Sequence, residues 1–365
     1  MKSKLVYLCS SMSWGGLEMN QLRNAGWMAA RGHDVLIVAC INSPFLLQAQ
    51  KMNLPVAIIQ RYRKYYAFLS AINLSKLLRK EHATHLFIRD TRDMSMAATL
   101  RFLLGKKIKT VYFMEMQLGV SKKNILHTVR FSYIDYWSCP LEGLVRQVKE
   151  KTRFPHHKIV YLPSGLELTK LQTIERSMAR AKLDLPSDKI IVGLIGRFDA
   201  QKGQKLLLDA LMLCPSNDFD VVLVGESTLN ESKSYENLLR DCIVENGLVD
   251  RVHFRPFMED VSVFFSAIDW MVMATKAETF GMVSIESMAC GTPVLGSNAG
   301  GTPELLKEGE LGVLFESLNA NDLAEKLFEI VSGKHTINSH DLRQHVRQFD
   351  HLTVCTRVEE RFINH

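Results

Sequence analysis

Residues 278–304 read ETFGMVSIESMACGTPVLGSNAGGTPE, and this stretch decides how the second half of the chain folds. Over residues 282–289 apolar positions recur at helical spacing, which predicts a helix with a loop before it. Gly291 and Pro293 follow this segment, and both residue types commonly end a helix.

The sequence after this helix predicts a short strand and then another helix. Residues 294–296 are apolar and read as a buried strand. Thr302 is the predicted N-cap of the next helix, with Pro303 as its first helical residue. Alternating helices and strands of this kind are typical of an α/β protein.

Two carboxylates flank the start of the first of these helices. The backbone N–H groups of Gly281, Met282 and Val283 would face a ligand there, and a phosphate binds favourably at such a helix start. Glu278 would reach a group beside the phosphate, and Glu286, about two turns along, would hold a diol further away. A nucleotide sugar has this order of hexose, diphosphate and ribose. The alternative is an ordinary strand–helix–strand unit with solvated glutamates.

The fixed spacings of this stretch resemble the signature of the family-four retaining glycosyltransferases, which have the GT-B fold. The matching pieces are E-x-F-G with a second glutamate eight residues after the first, then A-x-G-x-P-V and G-G-x-P-E. The resemblance implies an α/β protein with two Rossmann-like domains that face each other across a cleft. It also implies transfer of a hexose from a nucleotide diphosphate sugar to a hydroxyl, with the anomeric configuration retained. On this resemblance Glu278 is catalytic, and the donor-binding residues are Phe280, Gly281, Met282, Val283 and Glu286.

A second motif lies earlier in the same half of the chain. Residues 196–203 read GRFDAQKG, between a predicted strand at 190–196 and a predicted helix at 204–213. They resemble the family's G-R-x-x-x-x-K-G, which implies that Arg197 and Lys202 are catalytic. Positioned cations stabilise the negative charge that gathers on a departing nucleoside diphosphate. A solvated turn with two basic residues is the alternative.

The nucleobase and metal assignments rest on weaker patterns. Residues 252–257 resemble the strand and loop that hold the nucleobase, so Arg255 is assigned to donor binding although a glycine is common there. Residues 218–220 read DFD and imitate a metal-binding D-x-D, but they precede a strand on the side away from the ligand edge. We therefore predict a metal-independent enzyme without a cofactor.

The first half opens with a predicted βαβ unit. Strands at 5–9 and 35–40 flank a helix that ends near residue 31, which favours a parallel sheet. Gly15 and Gly16 before the helix would let a phosphate approach the backbone, and the resemblance places them opposite the donor diphosphate. The pattern is not G-x-G-x-x-G, so a dinucleotide cofactor is not expected.

Two more predicted strands, at 85–89 and 110–114, end in polar residues. Ligands of open α/β sheets bind at the carboxyl ends of strands. Many of the family-four glycosyltransferases that this sequence resembles have a histidine after the second of these strands. Here Glu115 stands at that place, and we assign it as the acceptor-side catalytic residue.

The resemblance also sets the expected domain boundaries. Residues 1–168 form the predicted acceptor-binding domain, and residues 169–340 the nucleotide-sugar-binding domain. Residues 341–365 form a predicted C-terminal helix that crosses back to the first domain.

Charge is divided unevenly along the chain. Residues 1–165 hold 25 Lys and Arg against 9 Asp and Glu, whereas residues 166–365 hold 20 against 30. Such asymmetry indicates an anionic partner, either nucleic acid or membrane. Residues 60–82 interleave basic and aromatic residues and predict a basic helix suited to a membrane interface. A solvated helix face is the alternative. Because no nucleic-acid motif accompanies this stretch, we predict an anionic membrane surface and no nucleic acid.

Composition bounds the compartment. Seven cysteines occur without a C-x-x-C pair, which argues against a zinc site or a disulfide framework and for a reducing compartment. The apolar run near the N-terminus is too short for a signal peptide. We therefore predict a cytoplasmic protein, peripheral at the inner face of the cell membrane.

The predicted acceptor is a lipid-linked or cell-surface glycan, as in polysaccharide or lipopolysaccharide biosynthesis. Two alternatives stay open at this point. One is a nucleotide-sugar epimerase on the same fold, and the other is a catalytically silent glycan-binding protein.

Overall fold

A computed structural model describes residues 3–64, 67–227, 234–276 and 278–364. The described residues form two compact units. The first unit runs to Gly165 and takes in the chain again from Phe349, and the second unit is Leu166–Gln348. The sequence placed the boundary near residue 168. In the described residues, no helix is long and apolar enough to cross a membrane.

The described part of the first unit builds a parallel sheet of seven strands. The strands are β1 (Lys4–Cys9), β2 (Asp34–Cys40), β3 (Val56–Ile59), β4 (His85–Ile88), β5 (Lys109–Phe113), β6 (Tyr136–Cys139) and β7 (Ile159–Tyr161). They lie in the order β3-β2-β1-β4-β5-β6-β7, and every pair is parallel. β1 and β4 are buried apart from the first residue of β1, as expected for strands covered on both faces.

Six helices connect these strands in the described residues. They are α1 (Gly16–Ala30), α2 (Pro44–Lys51), α3 (Phe68–Lys80), α4 (Met94–Leu104), α5 (Ile125–Ser132) and α6 (Glu142–Lys151). The predicted basic helix over 60–82 is corrected here, because α3 begins only at Phe68. Arg61, Arg63 and Lys64 precede the helix and are exposed, and residues 65–66 lie outside the described residues.

The second unit repeats this arrangement with six strands in its described residues. They are β8 (Ile190–Ile195), β9 (Phe219–Val224), β10 (Val252–Arg255), β11 (Trp270–Met273), β12 (Val294–Ser297) and β13 (Gly312–Phe315). Their order is β10-β9-β8-β11-β12-β13, and all pairs are parallel. Its helices are α7 (Arg176–Lys182), α8 (Gln204–Leu213), α9 (Ser234–Glu245), α10 (Val261–Ala267), α11 (Met282–Cys290), α12 (Thr302–Leu305), α13 (Ala320–Val331) and α14 (Ser339–Val346).

The start of α12 differs from the sequence-based expectation by one residue. Gly301 is the N-cap, and Thr302 is the first helical residue. The Thr302 side chain is buried, and its hydroxyl makes no hydrogen bond among the described residues, so it does not cap the helix.

The last part of the chain is divided between the units. α14 packs in the second unit, where the Arg343 guanidinium donates to the carbonyl oxygen of Cys290 at 2.9 Å. The final helix, α15 (His351–Val358), belongs to the first unit with the residues that follow it. There His85 Nε2 lies 3.0 Å from the carbonyl oxygen of Phe362, and the rings of Phe362 and Phe113 meet edge to face.

Candidate functional site

The strand order of the second unit locates the candidate site. β8 lies at the centre, and the chain then proceeds to β9 and β10 on one side and to β11, β12 and β13 on the other. Ligands of open parallel sheets bind outside the carboxyl ends of the strands where the order reverses. That position is between β8 and β11, and the turns after these two strands contain the residues singled out by sequence.

The turn after β8 holds Arg197 beside a carboxylate. An Arg197 guanidinium nitrogen lies 2.7 Å from Asp199 Oδ2, and the Arg197 side chain is half exposed. Asp199 also accepts a hydrogen bond from the backbone N–H of Gln201 at 2.8 Å. That N–H group and then the charges of Arg197 and Lys202 lower the pKa of the Asp199 carboxyl. Both predicted cations therefore lie near one carboxylate at the carboxyl edge of the sheet.

Gly203 lets this turn pack against the end of β11. Its φ is +80°, a conformation that favours glycine, and a Cβ there would lie 2.3 Å from the carbonyl oxygen of Ala274. The backbone N–H of Lys276 also reaches the carbonyl oxygen of Gln201 at 3.4 Å. The final glycine of the G-R-x-x-x-x-K-G motif thus brings the turns after β8 and β11 into contact.

This contact puts Lys202 and Glu278 side by side. Lys202 Nζ lies 3.3 Å from Glu278 Oε2, with the two side chains 37% and 22% exposed. The Glu278 backbone is held from the other side, because Gly301 N–H donates to its carbonyl oxygen at 2.8 Å. A Cβ on Gly300 would lie 2.1 Å from the same oxygen, and the φ of Gly300 is +65°. The Gly300–Gly301 pair therefore fixes the position of Glu278, a role that the sequence analysis missed.

The start of α11 lies directly after this glutamate. Gly281 is the N-cap with φ +81°, and a Cβ there would lie 3.3 Å from Glu278 Cγ. Phe280 is buried, while Met282 and Val283 are half-buried in the first turn. The first backbone N–H groups of a helix have no partner within that helix, so they are available to an anion.

Two buried hydroxyls lie on the helices that start beside Glu278. Ser284 on α11 and Thr302 on α12 are 0% and 1% exposed. Neither Ser284 Oγ nor Thr302 Oγ1 has a hydrogen-bond partner among the described residues. Buried hydroxyls are normally bonded, so these two atoms are exceptions in the packing beside Glu278.

The two remaining donor-side predictions lie on separate elements of the same unit. Glu286 is half-buried on α11, one turn beyond the helix start. Arg255 ends β10, and its guanidinium donates to the carbonyl oxygens of Leu183 and Asp184, each at 2.5 Å. The Arg255 side chain thus holds the end of α7, and its carbonyl oxygen accepts the N–H of Gly225 at 3.1 Å. Its predicted role in donor binding stays a prediction.

In the first unit, Gly15 is the N-cap of α1, and Gly16 is its first helical residue. Glu18 Oε2 accepts the N–H of Gly15 at 3.0 Å, which closes the helix start. The φ of Gly15 is −159°, an extended conformation open to any residue, and a Cβ on Gly16 would meet nothing within 4 Å. Packing inside this unit therefore does not require glycine at Gly16, and the space is available to a ligand.

Glu115 follows β5, and its side chain is mostly buried. It forms an ion pair with Arg89 at the end of β4, with the side chains 10% and 7% exposed, and lies 3.5 Å from Ser164 Oγ. Burial raises the pKa of the Glu115 carboxyl, and the charge of Arg89 partly offsets this rise. Its predicted role as an acceptor-side catalytic residue stays a prediction. The structure shows a carboxylate paired with Arg89. The sequence did not reveal this pair, because Arg89 and Glu115 follow different strands.

The architecture defines the class of the protein. Two parallel sheets, each reversing its order beside its first strand, form the GT-B fold. Anabaena Alr3699/HepE in complex with UDP superposes with a TM-score of 0.85 at 20% identity, covering 98% of each chain. The same protein in complex with UDP-glucose superposes with a TM-score of 0.81 at 21% identity, again over 98% of each chain.

Sequence comparison then shows which proteins the second unit resembles. Residues 175–349 match the family model of the glycosyl transferases group 1. The D-inositol 3-phosphate glycosyltransferase of Mycolicibacterium smegmatis is 30% identical over 187 residues, which make up 51% of this chain and 42% of that relative. An uncharacterized glycosyltransferase of Methanocaldococcus jannaschii is 34% identical over 141 residues, or 38% of each chain. The chain thus spans less than half the length of these curated relatives.

Proposed function

We propose that the protein transfers a hexose from a nucleoside diphosphate sugar to an acceptor hydroxyl. One observation carries this proposal: Lys202 Nζ lies 3.3 Å from Glu278 Oε2, immediately before the start of α11. A cation, a carboxylate and a helix N-terminus thus meet at the position where ligands of parallel sheets bind. This set of groups suits a ligand that carries a diphosphate next to a polar sugar.

Lys202 and Arg197 stabilise the departing nucleoside diphosphate. Negative charge grows on the leaving group in the transition state, and cations fixed near it lower the barrier without reorganising. The N–H groups at the start of α11 add partial positive charge from the helix dipole. Since two side-chain cations supply this stabilisation, we propose that the reaction proceeds without a metal ion or cofactor.

Glu278 binds the hexose, and Glu286 binds the ribose. The hydrogen bond from Gly301 N–H to the Glu278 carbonyl oxygen holds Glu278 beside the helix start, while Glu286 lies further along α11. This separation matches the extended shape of a nucleoside diphosphate sugar. The complexes of the Anabaena protein with UDP and UDP-glucose support a uridine nucleotide as the donor.

The stereochemistry and the acceptor are further parts of the proposal. The resemblance to the family-four enzymes supports retention of the anomeric configuration. The excess of basic residues before position 165 supports an anionic acceptor environment, and we propose a lipid-linked or cell-surface glycan at the cytoplasmic face of the membrane.

Two glutamate variants test the donor assignment. Glu286→Gln is expected to weaken nucleotide binding about tenfold, because a charged hydrogen bond to the ribose is lost. Glu278→Gln is expected to leave nucleotide affinity nearly unchanged and to lower turnover about 10²-fold. A thermal-shift screen with UDP, GDP and ADP sugars, followed by calorimetry and product analysis, measures both effects.

Two outcomes would contradict this proposal. Equal affinity of the free nucleotide for wild type and for Glu286→Gln would refute the ribose assignment. A product whose sugar has been inverted at one carbon while still attached to the nucleotide would identify an epimerase.

A further inference from the structure

Helix α5 presents apolar residues to solvent and polar residues to the protein. Ile125, Leu126 and Val129 are 74%, 83% and 54% exposed. Thr128 and Arg130 are half-buried on the same helix. This is the reverse of an ordinary surface helix, whose apolar face packs on the core. Ile125, Leu126 and Val129 are called the α5 ridge below.

Helix α3 serves as a comparison. Its Ala71, Leu74 and Leu78 are buried, and its basic residues lie on the outer face. Its first turn also exposes Phe68 and Leu69, at 57% and 78%. In α5 only Phe131 is fully buried, so most of the apolar surface of that helix faces solvent.

The contacts of α5 prevent it from turning its ridge inward. Asn124 caps the helix, with its Oδ1 accepting the N–H of His127 at 2.9 Å. A guanidinium N–H of Arg130 donates to His127 Nδ1 at 2.8 Å, and another lies 3.4 Å from Ser95 Oγ on α4. Phe131 is buried against Trp137, with ring centroids 5.0 Å apart. A polar network and one aromatic residue therefore fix the ridge toward the outside.

Basic residues from several segments surround this helix. Lys122 and Lys123 directly precede it, and Lys123 is exposed. Besides partial burial, the charges of Arg130, Lys122 and Lys64 lower the pKa of His127, so the basic segment before α3 comes close to α5. The α5 ridge is thus an apolar strip with lysine and arginine at its base.

We propose that the α5 ridge inserts into an anionic lipid bilayer while the surrounding lysines contact the lipid headgroups. This inference rests on the proposed membrane-linked acceptor and identifies the element that contacts the membrane. An apolar strip with a basic border is the pattern of a helix that lies in the membrane interface. The sequence pattern assigned this role to residues 60–82, and the proposal transfers the apolar contact to α5.

A bilayer fits this surface better than a second copy of the chain. A twofold interface places the same patch on both partners, so the lysines of one copy would face those of the other. Stable protein interfaces bury about 800 Å² on each partner, more than three side chains supply. An anionic bilayer instead offers opposite charge at the border and hydrocarbon at the centre.

Vesicle co-sedimentation of the full chain tests the proposal. The probes are phosphatidylcholine vesicles with and without phosphatidylglycerol. Ile125→Ser with Leu126→Ser is expected to lower the partition coefficient onto the mixed vesicles at least tenfold at any salt concentration. Lys122→Gln with Lys123→Gln is expected to lower it mainly at low salt, because headgroup attraction is screened.

A matched control separates the ridge from general surface hydrophobicity. Leu238 and Val244 on α9 are 47% and 68% exposed, and their double serine variant is expected to bind vesicles as wild type does. The ridge variant is expected to keep its thermal midpoint and its rate of donor-sugar hydrolysis, which distinguishes this proposal from the proposed function.

Three results would overturn the inference. The first is a wild-type protein that does not bind the mixed vesicles at low salt. The second is a ridge variant that binds them as well as wild type. The third is a wild-type dimer in sedimentation velocity that the ridge variant dissociates, since this would assign the surface to a second copy. If the donor site fails its own test while the ridge variant loses vesicle binding, the membrane surface stands and the reaction assignment falls.

Discussion

The two sheets reverse their strand order in the same way, yet they use the resulting edge differently. In the second unit, the Lys202–Glu278 pair remains partly exposed between β8 and β11. In the first unit, the equivalent place lies between β1 and β4, and Asp93 there is fully buried. The Asp93 carboxylate accepts two hydrogen bonds from Ser10, one from the backbone N–H at 3.1 Å and one from the hydroxyl. It accepts a third from the Tyr62 hydroxyl at 2.5 Å.

The comparison shows that topology supplies a binding edge but not a charged site. A buried polar group that already has its partners costs free energy to expose, because its bonds would be lost together. At the edge of the first unit, the carboxylate of Asp93 is thus satisfied by partners within that unit. The edge of the second unit keeps charges that a ligand can meet.

The largest expected effect concerns the carboxyl edge of the second sheet, where Lys202 and Glu278 are partly exposed. Arg197→Ala and Lys202→Ala are each expected to lower kcat about 10²–10³-fold, since each removes a cation that we propose stabilises the leaving group. Lys205→Ala is the matched control, because Lys205 lies three residues further on and pairs with Asp209 on α8. Steady-state transfer assays on folded protein measure the effect. Wild-type rates in both site variants would remove these residues from the mechanism.

The next expected effect concerns the glycine that supports Glu278. Gly300→Ala would place a methyl group against the Glu278 backbone, and we expect kcat to fall about 10–100-fold through misplacement of that carboxylate. Gly333→Ala is the control, because Gly333 has φ +77° and open space around its Cβ position. Both variants carry backbone strain, so only a difference between them in kcat supports a role of Gly300 in positioning Glu278. Equal loss in both would refute it.

The smallest expected effect concerns the carboxyl edge of the first sheet, where Asp93 is buried, which is called the closed edge below. Burial raises the pKa of Asp93 to about 6 from 3.8, while the bonds from Ser10 and Tyr62 oppose this rise. Because the folded-state pKa is raised, the contribution of Asp93 to the free energy of unfolding is complete below about pH 4 and is lost as the pH rises through about 6. Tyr62→Phe removes one opposing bond. The loss should therefore extend to higher pH, and the free energy of unfolding at pH 7 should fall by about 1–2 kcal/mol.

Urea denaturation across pH 4–8 measures the closed-edge prediction. Tyr235→Phe is the control, because the Tyr235 hydroxyl lies in the second unit and accepts the backbone N–H of Lys205 at 3.2 Å. A parallel pH profile in the two variants would show that Asp93 does not depend on Tyr62.

Local patterns predicted much of the second unit. The helix expected at 204–213 is α8 with the same bounds, and the helix expected at 282–289 is α11 with one more residue. These elements are fixed by glycines and apolar spacing within the segment itself. The turns after β8 and β11 could therefore be located before the structure was known.

Contacts between distant segments could not be predicted in this way. Arg89 pairs with Glu115 because β4 and β5 are neighbours, which depends on the strand order. Gly300 approaches Glu278 from the far end of β12, and the sequence pattern assigned it only to a helix start. The outward ridge of α5 likewise depends on Arg130 and Phe131 finding partners on other elements.

The path of the chain has a consequence for synthesis of the protein. The first unit is left at Gly165 and completed only from Phe349 onward, whereas the second unit is continuous. Phe362 is fully buried against Phe113 in the core of the first unit. Domains fold as units when their residues have left the ribosome, normally in order from the N-terminus. Here the order is reversed, because the unit made second can close while the unit made first still lacks part of its core.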